Sequence, residues 1–177
     1  MSKPRPAEAV KLLMSIIYAD DAVLKLPLEI LSDHYGDIDF ISEQMPFHYT
    51  AYYAEEMSSS LVRRFIFFDT LIPPESLPDV KIFTNDIETK FSVDGNRRVN
   101  IDPGYISKAH LILATGKGYT HRPYLRDGIY ADLTLIYRDK AFQTLPWTYP
   151  DYAEKTLTDM FISIRSKYLM QLKSKNI

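Results

Sequence analysis

The stretch Val10-Lys-Leu-Leu-Met-Ser-Ile-Ile-Tyr18 decides the fold class, because it is short, apolar and rich in strand-forming residues. It predicts a buried strand. A helix is predicted directly after it, with Asp20 and Asp21 as capping residues and Gly36 at its end. Pro27 conflicts with an unbroken helix and predicts that the helix restarts at that residue.

The order of predicted elements then continues as strand, strand, helix and strand. The two strands are predicted at residues 38–45 and 63–71. A second helix begins at residues 73–75 and carries apolar side chains at steps of three and four. Residues 98–101 supply the next strand. This order is typical of a ferredoxin-like βαββαβ core.

The second half of the chain is β-rich and ends in a helix. Residues 109–114 are apolar, and residues 129–137 alternate between two faces. Arg138-Asp139-Lys140 predicts a hairpin tip that leads into residues 141–145. A long amphipathic helix is predicted after Asp151, which we expect to cap it. We therefore predict an α+β fold, in which an antiparallel β-hairpin region and a long C-terminal helix extend the ferredoxin-like core.

The composition is that of a globular chain, since 46% of its 177 residues are hydrophobic and 25% are charged. No repeat or linker divides the sequence, so we expect a flexible tail over residues 1–8 and a single domain over residues 9–177. No apolar stretch approaches the ~18–20 residues that cross a bilayer, and the N-terminus lacks a signal-peptide pattern. We therefore expect a cytoplasmic protein without a membrane partner.

Charge and cysteine content exclude several classes of function. The chain has no cysteine, which excludes disulfides, thiolate metal sites and thiol nucleophiles. Its formal net charge of −2 argues against a general nucleic-acid coat protein. Between residues 95 and 126, however, six Lys and Arg residues accompany a single acidic residue. This local excess of positive charge favours an anionic ligand.

Three polar side chains are predicted to share one face of the strand near residue 100. Alternation places Arg98, Asn100 and Asp102 together, opposite Val99 and Ile101. A guanidinium binds phosphate or carboxylate, an amide orients a ligand, and a carboxylate binds a metal or moves a proton. The alternative interpretation is a solvated strand face with a salt bridge, ending in an Asp-Pro-Gly turn.

A lysine between two glycines follows the next predicted strand. In Gly116-Lys117-Gly118 the backbone can approach an anion while the lysine supplies charge. The segment is not a Walker A loop, since Leu111 and Gly118 stand where that motif needs glycine and Ser or Thr. A P-loop nucleotide hydrolase is therefore excluded. The alternative interpretation is a plain hairpin loop.

Further polar groups follow this loop and complete the candidate site. His121 is next to Arg122, and Tyr130 and Asp132 lie on the polar face of the following strand. The four histidines show no His-x-x-x-His spacing, so the sequence identifies neither a metal nor a cofactor. The predicted acid/base or metal-facing groups are Asp102, His121 and Asp132. The predicted ligand-binding groups are Arg98, Asn100, Lys117, Arg122 and Tyr130.

Two aromatic clusters have both a structural and a functional interpretation. The tyrosines of residues 49–53 form either the edge of a core, with Glu55 or Glu56 paired to Arg63, or a surface that stacks on a base or sugar. The turn around Trp147 either clamps the last helix on the sheet or forms a pocket wall. The chain has 13 tyrosines, and we expect the tyrosine-rich segments to surround one polar site.

Several segments of the chain match a known family. These segments are Phe47–Met57, Asn100–Tyr105, His121-Arg122, Leu125–Leu135 and Leu145–Tyr152. On them the chain resembles a bacterial family of unknown function, domain-of-unknown-function family 4416, from about Val10 to Tyr152. It departs from the family pattern at Ser58, where a glycine is expected, and at Gly118, where an acidic residue is expected. Some members are labelled GTP-binding, but the resemblance implies no established reaction.

From these residues we predict binding of a phosphorylated or otherwise anionic small molecule, for which a nucleotide is one candidate. If the protein is an enzyme, hydrolysis or transfer at phosphorus fits the residues best. The alternative is a non-catalytic RNA-binding or protein-interaction module, because exposed aromatic side chains on a ferredoxin-like sheet can stack on bases. A homo-oligomeric scaffold is a third interpretation.

Overall fold

The structure is a computed structural model that describes residues 3–48, 57 and 60–174. Within these residues, nine strands form one antiparallel sheet and three α-helices pack on it. The strands are β1 (Val10–Tyr18), β2 (Ile38–Ile41), β3 (Met45–Phe47), β4 (Leu61–Ile72), β5 (Val99–Ile106), β6 (His110–Thr115), β7 (Tyr124–Arg126), β8 (Ile129–Arg138) and β9 (Ala141–Thr144). The helices are α1 (Asp21–Tyr35), α2 (Leu77–Lys90) and α3 (Lys155–Ser174). The predicted mixture of helices with a largely antiparallel sheet is confirmed, and the sheet is larger than a four-stranded core.

The predicted buried strand, β1, lies in the middle of the sheet. The strand order is β2-β4-β1-β5-β6-β8-β7, with β3 paired to β4 and β9 paired to β8. All nine residues of β1 are buried. They are buried because helices cover both faces of the sheet at this point: Met14 packs with Leu31 of α1 and Val80 of α2, whereas Leu13 packs with Phe161 of α3.

Two predicted features of the first half differ in the structure. Pro27 lies inside a continuous α1, buried with Leu24 and Leu31, so the packing of its ring offsets the hydrogen bond that its missing amide cannot make. The strand predicted at residues 38–45 is divided into β2 and β3. The division occurs at Ser42, whose hydroxyl accepts a hydrogen bond from the amide of Phe65 at 2.9 Å.

Two features of the second half also differ. The alternation predicted for β8 is interrupted, because the register between β6 and β8 shifts between Leu111 and Ile112. Asp151 does not cap the last helix. It lies in a 3-10 turn at Pro150–Ala153, is buried, and forms an ion pair with Arg63 of β4.

The path of β5 positions the candidate site. The Asp-Pro-Gly turn of the alternative interpretation is absent, because β5 continues through these residues to Ile106. Only Gly104–Ile106 pair with β6. A side chain at Gly104 would lie 2.4 Å from the carbonyl oxygen of Ile112, so glycine permits the close approach at this junction. On the N-terminal side of Gly104, β5 and β6 separate and leave a gap in the sheet.

Candidate functional site

A cavity of about 730 Å³ lies where β5 and β6 separate. Among the described residues, the cations that line it are Arg63, Lys81, Arg97, Lys117 and Arg122. The carboxylates that line it are Glu88, Asp102, Asp132 and Asp151. Side chains from several strands, from α2 and from two loops therefore meet in one polar cavity whose cations outnumber its carboxylates by one.

Two charged side chains of α2 take the place of a neighbouring strand at the open edge of β5. The amide of Ile101 donates to Oε1 of Glu88 at 2.7 Å, and Nζ of Lys81 donates to the carbonyl oxygen of Ile101 at 3.0 Å. Lys81 and Glu88 are themselves 4.0 Å apart, and both are buried. The backbone groups of Ile101 are thus satisfied although no strand pairs with this edge.

The polar row predicted on β5 extends this network into the cavity. Nη1 of Arg97 donates to Oδ1 of Asn100 at 2.7 Å and to Oε2 of Glu88 at 3.2 Å. Nδ2 of Asn100 donates to Oδ2 of Asp102 at 2.7 Å, and Nζ of Lys81 lies 3.3 Å from Oδ1 of the same carboxylate. Asn100 and Asp102 therefore share a hydrogen-bond network with cations on two sides.

Burial dominates the protonation of Glu88. Removal from water raises the pKa of its carboxyl, because the charged form loses hydration. The charge of Lys81 and the hydrogen bond from the Ile101 amide oppose this rise without cancelling it. The negative charge of Asp102 adds to it.

Asp132 organises the opposite wall of the cavity. Its Oδ2 atom accepts a hydrogen bond from Nε of Arg122 at 2.7 Å. The same guanidinium donates to the hydroxyl of Tyr149 at 2.8 Å and to the carbonyl oxygen of Lys117 at 3.2 Å. Arg122 therefore ties β8 to both loops that line this side.

His121 lies behind Asp132 and is not a lining residue of the cavity. Its Nε2 atom is 3.6 Å from Oδ2 of Asp132, and its ring stacks on Trp147 with centroids 4.8 Å apart. Nε2 is buried and makes no hydrogen bond to any described residue. Arg122 is thus the hydrogen-bond partner of Asp132, and the imidazole of His121 lies farther away.

The buried end of the cavity is formed by an ion pair enclosed by aromatic rings. Nη1 of Arg63 donates to Oδ2 of Asp151, and both side chains are less than 8% exposed. The guanidinium carbon lies 4.4 Å from the ring centroid of Phe47 and 5.3 Å from that of Tyr152. Burial raises the pKa of the Tyr152 hydroxyl, which keeps it protonated.

The structure brings most of the predicted site residues together. Those that line the cavity are Asn100, Asp102, Lys117, Arg122 and Asp132. Arg98 is instead exposed and precedes β5, and the neighbouring Arg97 occupies the position predicted for it. Tyr130 also lies outside the lining, where its ring packs under the lysine loop, 3.1 Å from the position of a Cβ atom at Gly118.

Sequence reasoning missed five charged groups of the cavity: Arg63, Lys81, Glu88, Arg97 and Asp151. Lys81 and Glu88 had a readable signal, because they are seven residues apart on α2, beside the buried Val80 and Ile87. Charged residues on a buried helix stripe indicate partners in the interior. Arg63 and Asp151 had no such signal, being 88 residues apart.

The tyrosines predicted to surround one polar site are divided between the cavity and other parts of the surface. Tyr149 and Tyr152 line the cavity, whereas Tyr119 and Tyr124 are exposed elsewhere. The tyrosines of residues 49–53 and the glutamates Glu55 and Glu56 lie outside the described residues.

Within the described part of the chain, no three histidine, aspartate or glutamate side chains are grouped closely enough to hold a metal ion. None of the described helices combines the length and the apolar character needed to cross a membrane.

Comparison with known proteins identifies the family alone. No curated protein and no solved structure matches the chain. The family model described as "Domain of unknown function (DUF4416)" matches residues 8–168, which include every described residue that lines the cavity. The chain therefore belongs to the DUF4416 family.

Proposed function

We propose that the protein binds a phosphorylated or otherwise anionic small molecule in the cavity between β5 and β6. One observation carries the proposal: among the described residues, the five cations Arg63, Lys81, Arg97, Lys117 and Arg122 line a single cavity and outnumber its four carboxylates, in a chain whose net charge is −2. Cations gathered in a concave site with restricted access to water attract anions more strongly than the same charges on an open surface. A volume of about 730 Å³ is within the range of small-molecule sites.

The exposure of the carboxylates ranks the candidate acid/base groups. The Asp102 side chain is 34% exposed, whereas those of Glu88, Asp132 and Asp151 are each 8% exposed or less. Asp102 is therefore the carboxylate best placed to touch a ligand and to accept a proton from it. Asp132 serves as a positioning residue for Arg122 in this arrangement, and His121 is a neighbour of Asp132. For such a set of groups, hydrolysis or transfer at phosphorus is the proposed chemistry.

Calorimetric titration with ribose 5-phosphate and the four ribonucleoside monophosphates tests the binding proposal. We expect at least one of these compounds to bind, and we expect Lys117→Gln to weaken binding about tenfold, the equivalent of about 1.4 kcal/mol for a charge-assisted contact. Lys25→Gln is the matched control, because Lys25 lies on α1, outside the cavity lining, and is 80% exposed. Absence of binding by every phosphate compound, or equal effects of the two substitutions, would contradict the proposal.

RNA binding is the second candidate, and exposed aromatic side chains favour it. Tyr119 and Tyr124 are 69% and 60% exposed, and Tyr124 is on the edge strand β7 close to Arg126. Helices cover both faces of the sheet at β1, however, which argues against a base-stacking platform in the centre of the sheet. Fluorescence titration with a single-stranded RNA decamer at two salt concentrations separates the candidates. Salt-sensitive binding that Tyr124→Ala abolishes would favour RNA over the small ligand.

The strand order supports a ferredoxin-like interpretation of the first half of the chain. The strands that flank the two helices in sequence are β1, β2, β4 and β5, and they lie in the order β2-β4-β1-β5 with antiparallel pairing throughout. This is the order of a split βαββαβ unit, with β3 as an insertion and β6 to β9 as an extension. In this interpretation the cavity lies at the junction between the core and its extension.

A further inference from the structure

One hydrogen-bond donor of Arg63, its Nε atom, is not paired with Asp151. Its Nη1 atom is paired with Asp151, whereas its Nε atom is buried and donates to none of the described residues. Buried polar groups are hydrogen-bonded in the great majority of cases, and an unpaired one destabilises the folded protein. Pairing with Asp151 therefore does not account for the buried Nε donor of Arg63, which indicates a further hydrogen-bond acceptor.

The sheet register places Arg63 on the same face of the sheet as other residues that line the cavity. Ile17 of β1 lies opposite Arg63 on β4 and opposite Asn100 on β5, so Arg63 and Asn100 flank Ile17 on one face of the sheet. Asp102 is two residues beyond Asn100 on that same face. Arg63, Asn100 and Asp102 all line the cavity. The unpaired donor is therefore on a side chain that lines the cavity beside Asn100 and Asp102.

The charge balance at this end of the cavity selects the kind of group that Arg63 can bind. The Arg63–Asp151 pair has no net charge, and both side chains are removed from water. A second full negative charge beside Nε would be buried without a compensating positive charge, which is strongly unfavourable. An uncharged acceptor, such as a carbonyl oxygen or a ring nitrogen, accepts the hydrogen bond without adding charge. The rings of Phe47 and Tyr152 beside the guanidinium provide apolar walls for a planar group.

We propose that Arg63 recognises an uncharged acceptor on a planar heterocycle, which belongs to the same ligand whose phosphate is held near Lys117 and Arg122. This inference rests on the proposed function and narrows its ligand class to molecules that join a phosphate to a hydrogen-bonding ring. Nucleoside monophosphates have this composition, whereas ribose 5-phosphate lacks the ring. The ring and the phosphate are recognised by different elements, β4 for the ring and the region after β6 for the phosphate.

The test compares ribose 5-phosphate with the four ribonucleoside monophosphates by calorimetry on three forms of the full chain. These forms are the unaltered protein, Arg63→Lys and the double variant Arg63→Gln/Asp151→Asn. Lysine keeps the charge that Asp151 needs but has no Nε donor, and the double variant removes both charges so that neither is left buried alone. Thermal unfolding in the absence of ligand identifies any variant that fails to fold.

We expect the unaltered protein to bind at least one nucleoside monophosphate about tenfold more tightly than ribose 5-phosphate. We expect Arg63→Lys and the double variant to lose this preference while their affinity for ribose 5-phosphate stays the same. Equal affinity of the unaltered protein for all five compounds would overturn the role of Arg63 and leave the proposed function intact. So would a folded Arg63 variant that keeps the preference or weakens all five compounds equally. Failure of all five compounds to bind would overturn the proposed function and this inference with it.

Discussion

Glu88 is the side chain whose removal tests the organisation of the open β5 edge. It accepts the amide of Ile101 at 2.7 Å and lies 4.0 Å from Lys81 and 3.2 Å from Arg97. Glu88→Ala removes all three interactions at once. Glu88→Gln keeps an oxygen that can accept the Ile101 amide and removes only the charge.

The contacts of Glu88 determine how much stability each of the two substitutions should remove. A buried amide without an acceptor costs about 1–3 kcal/mol, and removing one partner of a buried ion pair costs about 3–5 kcal/mol. Lys81 retains Asp102 at 3.3 Å, so the loss from Glu88→Ala is at the lower end of the combined range, about 4 kcal/mol in total. For a chain of this length that corresponds to a decrease in Tm of roughly 10 °C. Glu88→Gln keeps the acceptor and removes a charge that burial disfavours, so it should cost less than about 1 kcal/mol.

Urea unfolding followed by circular dichroism measures both variants, with Asp86→Ala as the matched control on the same helix. Asp86 is exposed on α2, so its replacement should leave the unfolding midpoint nearly unchanged. A Glu88→Ala midpoint equal to that of the control would refute the inference that this side chain satisfies the edge of β5. Equal losses for Glu88→Ala and Glu88→Gln would show that charge, and not the hydrogen bond to Ile101, is the stabilising contribution.

The elements that could be predicted from the sequence are those whose signal is local. β1 is an apolar run interrupted by Lys11 and Ser15, and the apolar spacing of α3 matches its buried stripe at Leu157, Phe161, Ile164, Tyr168 and Leu172. The hairpin tip at Asp139 and Lys140 is confirmed by positive φ angles of 53° and 64°. In each case neighbouring residues alone specify the conformation.

The site was harder to predict because it depends on where two strands stop pairing. Alternation correctly places Asn100 and Asp102 on one face, but β5 begins at Val99, so Arg98 precedes the strand and is not part of the row. The gap beyond Gly104 depends on a close approach to Ile112 of β6, which no local pattern in β5 reveals. The Arg63–Asp151 pair likewise exists only after β4 and the turn before α3 have come together.

The pH dependence of stability and the junction at Gly104 provide two more tests. Because burial raises the pKa of Glu88 above its ordinary value of 4.5, the folded protein binds more protons than the unfolded chain as pH rises through that range, and the free energy of unfolding should fall. Urea titrations from about pH 4 to pH 7 should show that the free energy of unfolding of the unaltered protein falls relative to that of Glu88→Gln as pH rises, and a relative increase would contradict the assignment. Gly104→Ala would place a Cβ atom 2.4 Å from the Ile112 carbonyl oxygen and 2.7 Å from Cδ2 of Leu113. That carbonyl belongs to the backbone of β6 and cannot rotate away as a side chain does, so β6 must shift, at a cost of about 2–3 kcal/mol. Gly116→Ala, where no atom lies within 4 Å of the new Cβ, is the control, and equal unfolding midpoints for the two variants would show that β5 and β6 do not meet as closely as the cavity requires.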